Sequence, residues 1–243
     1  MFKLGSFLNR TGFVRPLLLT GGVVAALCGI IGTQPFAAER PRALAAPTFD
    51  PIHKEPMATA VFAGGCFWGT QGVLQRVTGV TNVEAGYAGG TQKTATYELT
   101  ETGTTDHAEA IRVSYDPSKV SYGTLLRVFF SVAHDPTQLN RQGADVGPQY
   151  RSAIFPVNAE QAEIASAYIE QLGTEKAFSS KIVTTIEAGK EFFRAEEYHQ
   201  NYLINNPTQP YIAFIEQPKV DALKAFFPAL WSEKPASTKH KSG

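Results

Sequence analysis

The stretch FAGGCFWGTQG, Phe62 to Gly72, constrains this chain more than any other. The apolar run Thr59–Ala63 reads as a buried strand that stops at Gly64-Gly65. The residues after Cys66 read as a helix to about Val77, with Gly79 beyond it. The glycine pair allows a tight turn and leaves the sulfur approachable. A thiol at such a junction meets unpaired backbone N–H groups and the positive end of a helix dipole. That placement lowers a cysteine pKa from its free value of about 8.5 and favours the nucleophilic thiolate. An arbitrary lone cysteine is more often buried and inert. Here the flanking glycines and the aromatic pair Phe67-Trp68 favour a reactive thiol beside an aromatic surface.

Strands and helices mix along the rest of the chain. TNVEAGYAGG reads as a strand closing in a glycine turn, and HAEAIRVSYDP as a strand with Ile111, Val113 and Tyr115 on one face. Ser121–Ala133 is an amphipathic helix with Ser121 as its N-cap, and YRSAIFPV is another strand. Asn158 and Gln161 bracket the start of a helix running to about Leu172. KIVTTIE is strand-like, and AEEYHQNYLI and KVDALKAFF are helical. No strict βαβ repeat appears, so the pattern predicts a two-layer α+β domain with a mixed sheet packed against helices. With 243 residues and 43% hydrophobic content the chain supports one core. The domain is expected over residues 58–231, after a proline-rich linker at 47–57 and before a polar, disordered tail at 232–243.

Residues 1–46 differ from the rest. Lys3, Arg10 and Arg15 precede an uncharged run from Pro16 to Ala38, the pattern of an export signal or an uncleaved signal anchor. PFAA (Pro35–Ala38) and ALAA (Ala43–Ala46) both offer small residues for cleavage. The basic residues favour sending the domain outward, so the chain is expected to be exported, to the periplasm, either free or anchored in the membrane. Cys28 lies in this leader behind Leu27, which does not suit a lipoprotein site, and reads as a small hydrophobe. The mature domain then holds one thiol, and Cys66 cannot be an internal disulfide staple. The 22 basic and 22 acidic side chains give no electrostatic ground for a nucleic-acid partner. The five histidines show no paired spacing with acidic or thiol ligands, so no metal site is expected.

Five blocks in order, GCFWG, GYAGG, HAEAIRVSYDP, HDPTQLNRQGADVGPQYRSAI and EEYHQNYL, resemble the methionine sulfoxide reductase A family from about Thr59 to Phe227. The resemblance implies a ferredoxin-like α+β fold and reduction of the S epimer of methionine sulfoxide, free or in proteins, as repair of oxidative damage. It makes Cys66 the catalytic nucleophile and Glu109 the acid that protonates the sulfoxide oxygen. Glu109 must then hold its proton near pH 7. Independently, strand alternation groups Glu109 with Ile111 and Val113 on the apolar side. Tyr97 and Tyr150 align with the tyrosines that bind the sulfoxide oxygen, and Asp145 with an aspartate that orients their network. Phe67 and Trp68 are expected to wall the methyl group, with His199 and Tyr202 at the margin. No bound cofactor is implied, and the domain is expected to be monomeric.

The sequence departs from the family where many members place further cysteines. Ile212 follows PY near the C-terminus and Glu101 stands at a second such position, so the Cys66 sulfenic acid would need an external thiol, thioredoxin-like or small. Gln71 and Asp106 are lesser departures, expected to tune rate or electrostatics. Two rival readings remain at this point. One is a cysteine hydrolase using His107 or His134 as base, and the other a binding module that grips methionine-rich segments through Phe67 and Trp68.

Overall fold

A computed structural model describes residues 40–52, 55–236 and 238; most of the expected leader, with Cys28, lies outside the described residues. Strand β1 (Ala58–Gly64) leads through Gly65 and Cys66 into helix α1 (Phe67–Leu74), three residues shorter than the expected end at Val77. There follow β2 (Val80–Ala88), the short α2 (Tyr97–Thr100), β3 (Ala108–Tyr115) and α3 (Tyr122–Val128). Helix α3 continues as a π-helical turn over Phe129–Ala133. Next come a two-strand hairpin, β4 (Arg141–Gln142) and β5 (Asp145–Val146), then β6 (Ser152–Ile154) and α4 (Ala159–Thr174). The chain ends with β7 (Thr185–Ile186), β8 (Phe192–Arg194), α5 (Tyr202–Asn205) and α6 (Gln217–Phe226).

Six strands form one mixed sheet in the order β7-β6-β1-β3-β2-β8, in which only the β6–β7 pair is parallel. Alternation along the strands divides the buried side chains between two faces. Phe62, Val83, Ile111 and Val113 join the main core with Leu125, Leu126, Phe129 and Ile164 from the helices. The other face carries mostly small residues, Val61, Ala63, Ala108, Ala110 and Ala153, under Phe155 and Phe192. Helix α1 packs across β2 and β3 and against α6, while α3 packs on α4.

The predicted caps form. Ser121 Oγ accepts from Thr124 N–H, and Asn158 Oδ1 accepts from Gln161 N–H at 2.8 Å. The segment read as one helix, AEEYHQNYLI, is two short turns broken at Asn201, whose φ of 56° is left-handed. The ends also differ from expectation. Arg42 N–H donates to Ser131 O, Leu44 is buried, and Arg127 Nε donates to Leu44 O. Asp50, in the expected linker, accepts from Gly123 N–H and Ser121 Oγ at the start of α3. At the other end Ser232 N–H donates to Arg76 O, Ala236 N–H to Gln75 O, and Thr238 Oγ1 to Val83 O. Polar composition suggested a loose tail, but these backbone groups find partners on the rim of α1 and β2.

Candidate active site

The site assembles where β1 hands over to α1. Gly65 has a φ of +82°, and a Cβ there would fall 2.4 Å from Gln142 Cγ, so both backbone and space call for glycine. Cys66 follows as the N-cap of α1 and is only 7% exposed. Its side chain makes no cap hydrogen bond, although the backbone N–H of Trp68, in the first turn, favours the anion at the sulfur. Glu109 on neighbouring β3 is 3% exposed, and its Oε2 accepts from Phe67 N–H at 2.8 Å. Cysteine and carboxyl are thereby placed side by side at the first turn of one helix.

Burial, first, pushes the Glu109 carboxyl well above the usual carboxylate range, and the charges of Glu101, Asp145 and Glu216 add to it. The Phe67 hydrogen bond opposes without cancelling. The thiol does not behave as the sequence suggested. Burial, then the carboxyls of Glu109 and Glu216, push Cys66 up, against the lowering pull of the Trp68 N–H and Lys219. An eight-residue helix does not outweigh the desolvation of a residue this buried.

Around this pair the expected residues gather. Tyr97 begins α2, which Thr96 caps, and its N–H donates to Glu196 Oε1 at 3.0 Å. Burial, then Glu101, Glu109 and Cys66, push its phenol up to about 12, so its hydroxyl lies within electrostatic reach of both reactive groups. Tyr150 donates to both Glu101 oxygens at 3.1 Å. Its phenol is pushed up by burial, Glu109 and Glu101. Asp145 accepts from Tyr211 Oη at 2.5 Å. Trp68 is half-buried, stacks on Tyr202 at 3.8 Å and 10°, and donates from Nε1 to His199 Nδ1 at 3.1 Å. Phe67 is 1% exposed and packs against Tyr87 and His199. The exposed aromatic wall is thus chiefly Trp68, and Phe67 backs it from the core.

Three participants were not singled out in the sequence. Tyr211 meets Trp68 edge-on at 6.2 Å and is pushed up by burial and by Cys66. Glu196 holds Tyr87 Oη at 2.8 Å as well as the Tyr97 backbone. Glu216 is buried against Gly69 of α1. In the sequence Tyr211 is simply the residue before Ile212, which is fully buried in the core. Gln71 proves structural, since it is 1% exposed and donates to Val83 O while accepting from Asn201 N–H. Asp106 is exposed, and its carbonyl accepts from Arg151 Nη2 at 3.0 Å.

Both histidines of the hydrolase reading are engaged elsewhere. His134 spans Phe129 O and Ser152 Oγ, and burial pushes it down to about 4. His107 contacts Thr91 O at 2.9 Å and is likewise lowered by burial. Neither is hydrogen-bonded to Cys66.

Comparison with known proteins agrees with this geometry. The family model described as peptide methionine sulfoxide reductase matches residues 58–229. A peptide methionine sulfoxide reductase MsrA 2 of Mesorhizobium japonicum is 59% identical over 177 residues, covering 73% of this chain and 91% of that protein. MsrA of Deinococcus radiodurans is 54% identical over 168 residues, 69% of this chain and 81% of that one. Among solved structures, methionine sulfoxide reductase A of Corynebacterium diphtheriae superposes with a TM-score of 0.54 at 33% identity, covering 70% of this chain and 84% of that one. Reduced Mxr1 of Saccharomyces cerevisiae gives 0.54 at 35%, over 67% and 92%. The chain therefore belongs to the peptide methionine sulfoxide reductase MsrA family and is an enzyme that reduces methionine sulfoxide.

Proposed function

We propose that Cys66 attacks the sulfur of methionine S-sulfoxide, free or in proteins, while Glu109 gives its proton to the sulfoxide oxygen. The oxygen then passes to Cys66 Sγ as the bond between the two sulfurs breaks, leaving a thioether and a Cys66 sulfenic acid. The substrate sulfur gains two electrons and Cys66 loses two. The thiol proton released from Cys66 restores Glu109, so a neutral thiol beside a neutral carboxyl suffices for the step. Tyr97, and Tyr150 once it releases Glu101, donate to the sulfoxide oxygen as negative charge grows on it, with Asp145 and Tyr211 orienting that side of the site. Trp68, stacked on Tyr202, walls the substrate methyl group.

An external thiol, thioredoxin-like or small, attacks the sulfenic sulfur, expels water and leaves a mixed disulfide that a second thiol reduces. This reading is supported by the core aliphatic at Ile212 and the tyrosine-bound carboxylate at Glu101, both where relatives often carry cysteine. The strand order β6-β1-β3-β2, all antiparallel neighbours, supports the ferredoxin-like reading of the core. The basic and then uncharged leader supports export of the enzyme.

The observation that carries the mechanism is the 2.8 Å bond from Phe67 N–H to Glu109, which fixes the acid one residue from the nucleophile. With dithiothreitol as reductant and a methyl sulfoxide as substrate, Cys66→Ser abolishes turnover. Glu109→Gln lowers it about 10²–10⁴-fold. Wild-type rates in the serine variant would overturn the assignment.

A further inference from the structure

Glu216 is a buried carboxylate that this reaction does not use. It closes a π-helical turn over Ile212–Glu216 and is 1% exposed. Its side chain lies over Gly69 in the first turn of α1, where a Cβ would fall 1.4 Å from Oε2. The carboxylate therefore fills the space that glycine leaves on the helix capped by Cys66. Lys219 Nζ sits 2.8 Å from Oε2. Neither carboxylate oxygen takes a hydrogen bond, so the contact is an ion pair without hydrogen-bond alignment. Burying a carboxylate whose one partner among the described residues is a lysine ammonium, with no backbone N–H donor, is costly, and packing alone does not repay it.

The groups facing Cys66 come from several elements: Glu109 from β3, Tyr97 from α2, Tyr211 and Glu216 from the π-helical segment and its cap, and Lys219 from α6. Burial drives Glu109 and both tyrosines toward their neutral forms. The Glu216–Lys219 ion pair acts on the sulfur with opposite signs, the carboxylate having the larger effect.

We propose that the Glu216–Lys219 pair is a positioning device that keeps the resting Cys66 sulfur in its thiol form by offsetting the anion-favouring end of α1. The proposal rests on Cys66 being the nucleophile. It gives the pair a use, because peroxide oxidises thiolate far faster than thiol. A neutral sulfur is spared stray oxidation, while a docked sulfoxide, protonated by Glu109, still reacts with it.

The test is the pH dependence of iodoacetamide alkylation, read on the Cys66 peptide of the full chain so that Cys28 does not contribute. Glu216→Gln should lower the alkylation midpoint by about one pH unit or more. It should also speed peroxide conversion of Cys66 to sulfinic acid at neutral pH. The double variant Glu216→Gln/Lys219→Met removes both charges without stranding either, and keeps the test decisive if the single variant does not fold. Its midpoint should fall below wild type, by less than in the single variant. A midpoint at or above wild type in the double variant would overturn the inference. Alkylation is scored apart from sulfoxide turnover. An unmoved midpoint alongside an inactive Cys66→Ser therefore refutes the pair's role alone, whereas an active Cys66→Ser refutes the reading beneath it.

Discussion

Glu109 shows what burying a carboxyl costs at a single position. It shares the apolar side of β3 with Ile111, Val113 and Tyr115, all buried, and burial raises its pKa well above the ordinary carboxylate value. A group raised on folding contributes its full stability below its unfolded pKa and loses it as pH rises through the folded one. At pH 7 the unfolded chain ionises Glu109 freely, so holding it in the fold is unfavourable. Glu109→Gln should therefore melt higher than wild type at pH 7, by about 2–4 °C for each kcal/mol relieved, while losing activity. The gain should shrink toward pH 4. A lower melting midpoint at pH 7 would contradict this account of the carboxyl.

At the scale of elements, the N-terminal strap over residues 40–52 belongs to the catalytic domain. Leu44 is 5% exposed, its N–H donates to Ser131 Oγ, and Tyr168 Oη donates to Ala45 O. Leu44→Ala should cost about 2–5 kcal/mol in urea unfolding. An unchanged transition would mean that this stretch lies off the domain. Ala43–Ala46, which also offers small residues for cleavage, lies within this packed strap. Longer elements were legible: β1, β2, β3, α3 and α4 carry clear periodicity or caps. The β4–β5 hairpin and β8 were not, since they lie in polar, charged stretches without the apolar β-branched run that marked the equally short β6 and β7. The break at Asn201 was also hidden, because asparagine tolerates the left-handed region without its presence alone marking a break in a helical pattern.

For the whole molecule, the legible part of the site was its local chemistry. Cys66 stands out through its glycines and aromatics, and Glu109 through a carboxyl set on an apolar strand face. The electrostatics were not legible, because they come from side chains far apart in sequence. Glu216 reaches Gly69, Tyr211 reaches Asp145, and Glu101 reaches Tyr150 only after the sheet and helices close. Dipole reasoning at Cys66 therefore predicted an acidified thiol, whereas burial and two carboxyls set the opposite direction. The most direct test is a single turnover with excess methyl sulfoxide and no reductant, followed by intact mass and dimedone trapping at Cys66. The account predicts one oxygen atom added to Cys66 and captured as a dimedone adduct, with one methionine-type thioether released per domain. Loss of two hydrogens through an internal disulfide, or thioether release with Cys66 unmodified, would contradict it.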